Sequence, residues 1–152
     1  MTSPLMVGDA GHARYTFRLR LSSDAHRVLL AEWGRCRWLW NECVARSKRA
    51  HRDGEKCGPA RLDKMLTEAR AKAAWLREGS SVPQQQLIRD FAKSRAKALK
   101  DMGDGLPVRQ RAGMPRYKKK HTTDPSLNYT QRGFRLKDGR LHLAGGISVS
   151  VV

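Results

Sequence analysis

Residues 15–21, Tyr-Thr-Phe-Arg-Leu-Arg-Leu, alternate strictly between apolar and polar side chains, the period-2 pattern of a strand with one buried face. Tyr15, Phe17, Leu19 and Leu21 share the apolar face, and Thr16, Arg18 and Arg20 share the other. A lone strand leaves its backbone donors and acceptors unpaired and cannot form a sheet by itself. The other alternating segments lie at the far end of the chain. Asp138-Gly139 is a favoured two-residue type I′ turn, which places Leu136 opposite Leu141 and Phe134 opposite Leu143, with Arg135, Lys137, Arg140 and His142 on the opposite face. Ile147, Val149 and Val151 begin a further strand. The first strand is therefore expected to pair with these later ones, and everything between is an insertion.

The inserted block reads as three helices. Ser22-Ser23-Asp24 supplies an N-cap and an acidic first turn, both favourable at the positive end of a helix dipole. Leu29, Trp33, Cys36, Trp40 and Cys43 then form one stripe, in a helix running to about His51 and ending near Asp53-Gly54. Trp33 and Trp40 read as core, whereas Trp38 lies off the stripe. A second helix is expected over about 60–78, burying Leu62, Met65, Leu66, Ala69, Ala73 and Leu76. Ser80 or Ser81 caps a third, with Pro83 in its first turn and Leu87, Ile88, Phe91, Ala98 and Met102 facing inward. Cys36, Cys43 and Cys57 form no C-x-x-C pair, which suits reduced, buried thiols better than a disulfide framework or zinc site. The fold class expected is α+β: a partial, wedge-like antiparallel β-barrel (13–22 and 109–152) interrupted by a three-helix lobe (23–104), preceded by a flexible extension (1–12).

Charge narrows the function. The 152 residues carry 31 Lys and Arg against 14 acidic residues, a formal +17, and so large an excess is normally retained for a polyanion. Arg89, Lys93, Lys97 and Lys100 make a ridge along the third helix. Residues 109–120, Arg-Gln-Arg-Ala-Gly-Met-Pro-Arg-Tyr-Lys-Lys-Lys, form a basic run with one aromatic. The expected phosphate-gripping set is Arg89, Lys93, Lys97, Arg116, Tyr117, Lys118, Lys119, Lys120, Arg135 and Arg140. No segment reaches the roughly 20 apolar residues of a membrane span, and Met1–Gly11 lacks the layout of a secretion signal. A cytoplasmic, nucleoid-associated bacterial protein is expected, with DNA and RNA as partners and no membrane. There is no Ser-His-Asp set, H-E-x-x-H, P-loop or strand-borne carboxylate cluster, so neither catalysis, metal nor cofactor is expected of this chain.

Several blocks, in order, resemble the N-terminal part of the TnpB (OrfB) proteins of insertion sequences, relatives of the type V CRISPR effectors. They are the 15–21 strand; Gly34-Arg35-Cys36-Arg37-Trp38-Leu39-Trp40-Asn41; Leu62-Asp63-Lys64-Met65-Leu66-Thr67-Glu68; Trp75-Leu76; Val82-Pro83-Gln84-Gln85-Gln86; Gly113-Met114-Pro115-Arg116-Tyr117-Lys118; and Tyr129-Thr130-Gln131 with Gly139-Arg140-Leu141. The resemblance covers about residues 14–146. It implies a wedge barrel and an inserted recognition lobe, described in the family as a helix-turn-helix region, that hold a guide RNA and target DNA. It further implies contacts from Gln85, Thr130 and Gln131 to the short motif beside the target. The family's RuvC-like nuclease domain and four-cysteine zinc ribbon lie beyond the matched part, so the chain is expected to be a truncated, non-cleaving fragment whose partner would be the remaining nuclease half. Two other readings compete: a stand-alone helix-turn-helix regulator, with 79–82 as the turn between the second and third helices, and a remnant of a decayed transposable element.

Overall fold

The computed structural model describes residues 11–152; most of the extension expected over 1–12 lies outside the described residues. In chain order come β1 (Leu19–Arg20), α1 (Ser23–Arg52), α2 (Pro59–Lys72), α3 (Ala74–Arg77), α4 (Ser81–Gly103), β2 (Phe134–Lys137), β3 (Arg140–Leu143) and β4 (Ile147–Val151). Single 3-10 turns at Val108–Gln110 and Gln131–Gly133 punctuate the long connection from α4 to β2. Among the described residues the fold is mixed: four α-helices and one four-stranded antiparallel sheet of order β1-β4-β3-β2. No helix there is long and apolar enough to cross a membrane.

Helix α1 begins where the sequence predicts. The Ser22 hydroxyl accepts from the Ala25 N–H at 3.1 Å, and the helix ends at Asp53 before Gly54, whose φ of +68° is left-handed. At 30 residues it is about 45 Å long, and it serves two cores. Its first turns, through Ala25, Val28 and Leu29, pack on Ile147 and Val149 of β4 and on Leu141 and Leu143 of β3. Its later turns, through Leu39, Cys43 and Val44, pack on Leu62, Met65, Leu66, Leu76, Ile88 and Phe91 of the other helices. Leu39 and Val44 fall outside the predicted stripe yet are fully buried in the core that α1 shares with the other helices. Trp40 is half-buried at the border, edge-on to Phe91 with centroids 5.1 Å apart. All three cysteines are free and buried, Cys43 and Cys57 within this helical core. Burial pushes the Cys36 thiol up to about 12, aided by Glu32, and pushes Cys43 up to about 12, aided by Cys57.

Four expectations need correction. The helix predicted over 60–78 is two helices, broken at Ala73, which is extended with φ −110° and ψ 106°. The bend turns Leu76 into the core beside Leu62, Met65 and Leu66. The Arg77 guanidinium then donates to the α2-terminal carbonyls of Arg70 (2.7 Å) and Ala71 (2.8 Å), and Arg70 donates to the Leu76 carbonyl (3.0 Å). These bonds satisfy orphan acceptors that the break exposes. The lobe therefore has four helices, with α3 and α4 joined by Glu78, Gly79 and Ser80.

The sheet, secondly, is open and is no barrel. Four strands, one of them two residues long, leave β1 and β2 as separate edges, whereas closure needs more strands and a consistent stagger. Thirdly, the predicted 15–21 strand pairs only as Leu19 with Val151 and Arg20 with Ser150, and Tyr15, Phe17, Leu19 and Leu21 are all exposed. On the far edge, the register of β2 on β3 is as the Asp-Gly turn predicts, Phe134 with Leu143 and Leu136 with Leu141, but Phe134 and Leu136 are exposed too. The physical reason is coverage: α1 spans β3 and β4 alone. Lastly, Met102 faces solvent rather than the core, since it lies in the last turn of α4, near its C-cap Asp104.

This division of coverage predicts a stability contrast. Phe91→Ala empties a position with no solvent exposure and should cost about 3–5 kcal/mol. Leu136→Ala, at 49% exposed, should cost under about 1 kcal/mol; urea unfolding of the two variants checks the difference.

Candidate nucleic-acid interface

The basic run has almost no regular structure, so its backbone groups need partners from elsewhere. Helices α1 and α4 supply them. The Asp101 carboxylate accepts from the Ala112 N–H at 2.7 Å. The Trp40 indole donates to the Arg116 carbonyl at 2.7 Å. Asn41 accepts from the Lys118 N–H at 2.7 Å and donates to the Lys118 carbonyl at 3.1 Å, and Arg37 adds a donor to the same carbonyl. Three points of an irregular segment are thus pinned to the helical lobe. Arg116, Tyr117, Lys119 and Lys120 project into solvent, with the Lys48 ammonium 4.8 Å over the Tyr117 ring. Lys118 behaves differently. Its ammonium lies 4.1 Å over the Trp40 ring, and the desolvation lowers its pKa.

A second constellation forms where the lobe meets the sheet. Ser80 caps α4, accepting from the Val82 N–H at 3.2 Å, while its own N–H donates to Glu32 at 3.0 Å. Glu32 pairs with Arg35, both nearly buried, and Arg35 donates to the Trp75 carbonyl at 2.8 Å. The start of α4 is therefore locked onto α1. Of the three glutamines that follow, Gln84 is buried and bonded to Arg70 (2.7 Å) and to the Leu76 carbonyl (3.0 Å). Gln86 donates to Asp90 at 3.0 Å. Gln85 is exposed and its amide bonds to none of the described residues.

Opposite Gln85 stands the 3-10 turn. Gly133 presses on Val82 so closely that a Cβ there would lie 2.5 Å from the valine Cγ1, which is why that turn ends in glycine. The approach brings Gln85 and Arg89 of α4 together with Thr130, Gln131 and Arg132 around one open pocket of about 470 Å³. Gln131 and Arg132 also line the adjoining pocket, where Arg135 and His142 of the sheet join them. Gln85, Arg89, Thr130 and Gln131 thus line one cleft, and Arg135 lies in the neighbouring pocket that shares Gln131 and Arg132 with it. Arg132 was not singled out from the sequence; its one signal is that it directly follows Tyr129-Thr130-Gln131.

The remaining candidates sit apart from that cleft. Lys93, Lys97 and Lys100 continue the exposed row along α4 past Arg89, but Lys97 pairs with Asp101 and Lys100 with Asp104, each at 2.6 Å. Only the first half of the ridge, Arg89 and Lys93, makes no ion pair among the described residues. Arg140 lies across β4, bonded to Ser148 Oγ (2.8 Å), Ser150 Oγ (2.9 Å) and the Ser148 carbonyl (3.2 Å). Among the described residues every ion pair is made within 24–104, so the cations of the basic run, the cleft turn and the hairpin have no carboxylate partner.

No protein-family model matches the chain. Among curated proteins, InsQ of Escherichia coli (strain K12), a candidate RNA-guided DNA endonuclease by its description, is 28% identical over 120 residues. That alignment covers 77% of this chain and 27% of InsQ, so the chain spans about a quarter of the relative's length. The likeness agrees with the family resemblance carried by the sequence blocks.

Two predictions follow from the clamps on the basic run. Asn41→Ala deletes both bonds to Lys118 and should cost about 1–3 kcal/mol, with faster hydrogen exchange at the Lys118 amide than at amides of α2. Asp101 has its pKa lowered, first by Lys97 and next by the Ala112 N–H. The stability it contributes is present above the unfolded aspartate value of about 3.9 and is lost as pH falls through the lower folded value. Thermal unfolding at stepped pH should therefore show Asp101→Asn weaker than the parent at neutral pH and the gap closing below about pH 4.

Proposed function

We propose that this chain is the nucleic-acid-binding portion of a transposon-associated, TnpB-type RNA-guided DNA endonuclease. It grips guide RNA and target DNA through their phosphates and does not itself cut. One observation carries the reading: three residues that the family resemblance marks as motif contacts, Gln85, Thr130 and Gln131, come from segments far apart in sequence and line one pocket with Arg89 and Arg132. The free amide of Gln85 suits base edges, since a glutamine offers both a donor and an acceptor. The flanking arginines suit the phosphates on either side. The likeness to InsQ supports the same class of role, and the uncompensated cations after residue 104 supply the electrostatic grip.

Mobility-shift titrations of the full chain with RNA and duplex DNA test this. If about six to eight phosphates engage, log affinity should fall with log salt with a slope of about −5 to −7, and Arg132→Ala should reduce that slope by about 1. Gln85→Ala should leave the slope unchanged while flattening discrimination among sequences beside the target. A slope near zero, or Gln85→Ala behaving like a loss of charge, would contradict the assignment.

A further inference from the structure

A groove of about 710 Å³, open to solvent, runs between the second half of α1, the end of α4 and the start of the basic run. Its floor is apolar: Val44 of α1, Leu99 and Met102 of α4, and Met114, Pro115 and Tyr117. Leu99, Met102, Met114 and Tyr117 are each exposed, a contiguous apolar surface of the kind that marks an interaction site. Its rim is cationic, with Lys48, Arg49 and Arg52 on one wall, and no carboxylate lines it. It shares no residue with the cleft around Gln85, and nothing about it depends on the nucleic-acid reading.

We infer that this groove docks an acidic amphipathic helix of a protein partner. The helix would lay its apolar stripe on Leu99, Met102 and Met114, with its carboxylates against Lys48, Arg49 and Arg52. Charge complementarity selects this occupant: an all-cationic rim around an apolar floor repels a second copy of a chain of +17. Helix-in-groove recognition reads apolar anchors at i, i+3, i+4 and i+7, and unbranched methionines on the floor adapt to such anchors. A nucleic acid fits less well. Binding of bases to an apolar surface relies on free aromatic faces; of the two aromatic rings that line the groove, His51 and Tyr117, the larger, Tyr117, has a face under the Lys48 ammonium.

The test uses the full chain and a fluorescein-labelled synthetic helix of about five turns, with leucines at the i, i+3, i+4, i+7 spacing and glutamates elsewhere. A scrambled peptide of identical composition serves as control, together with a single-stranded DNA oligonucleotide as competitor. By fluorescence anisotropy the patterned peptide should bind at least about tenfold tighter than the scrambled one, and Leu99→Glu should weaken it by about tenfold or more. Arg52→Glu should weaken both peptides. The oligonucleotide should not displace the patterned peptide through the groove. Methyl NMR of Met102 and Met114 in the unaltered chain gives a reading that needs no variant: both resonances should shift on titration. Equal binding of the scrambled peptide, indifference to Leu99→Glu in a folded variant, unmoved methionine methyls, or displacement by an oligonucleotide whose own binding falls in Leu99→Glu would each overturn the inference.

Discussion

One helix belongs to two cores, and that sharing is the constraint on which the rest of this structure depends. The sheet cannot bury its apolar face without Ala25, Val28 and Leu29, and the helical lobe cannot close without Leu39, Cys43 and Val44; all six stand on α1. Because an α-helix fixes its side chains at a constant rise and turn, the orientation of the lobe on the sheet follows from the helix. A hinge between the two parts would have to break a 30-residue hydrogen-bonded rod. The cleft at Gln85 therefore keeps its shape without a ligand: one wall is α4, locked to α1 through Glu32 and Ser80, and the other belongs to the segment leading into the sheet that α1 covers.

The same helix organises what has no regular structure. A connection as long as that between α4 and β2 would ordinarily be mobile, since loops lack the packing that offsets chain entropy. Here Trp40, Asn41 and Asp101 take over the hydrogen bonds a neighbouring strand would have made. Their hold is on backbone atoms, so the long cationic side chains stay available. Lys118 is the exception, and its stacking on Trp40 ties one charge of the run to the fold itself.

How far the sequence disclosed this depends on whether a feature is local. The hairpin register was legible because Asp138 and Gly139 both take the positive φ that a type I′ turn requires. The starts of α1 and α4 were legible because serine caps act within three residues. The break at Ala73 was not, since neither glycine nor proline marks it; it comes from the burial of Leu76 and from arginines several residues away on either side. Alternation told which residues share a sheet face and not what lies over that face, which is why Phe17, Phe134 and Leu136 were expected inside. For the cleft, Gln85, Thr130 and Gln131 were marked by family resemblance, while their meeting depends on Gly133 against Val82. No spacing rule gives that contact.

Charge placement then separates scaffold from surface. The lobe is partly compensated: residues 23–104 carry 18 Lys and Arg against 11 acidic residues, and each ion pair among the described residues joins partners within 24–104, most of them one helical turn apart. Exposed pairs of that kind add little stability, but they lower the local field and let the helices pack without strong self-repulsion. Beyond residue 104 no cation makes an ion pair among the described residues. Arg140 is instead held by neutral serine oxygens, and the Asp101 carboxylate, which reaches the basic run, accepts there from a backbone N–H. Residues 105–152 carry ten Lys and Arg against two acidic residues, and six of the ten repel one another on the 109–120 segment that the helices pin in place. The free energy of that repulsion is recovered when an anionic partner arrives, so affinity for a polyanion and strain in the free chain have a common source.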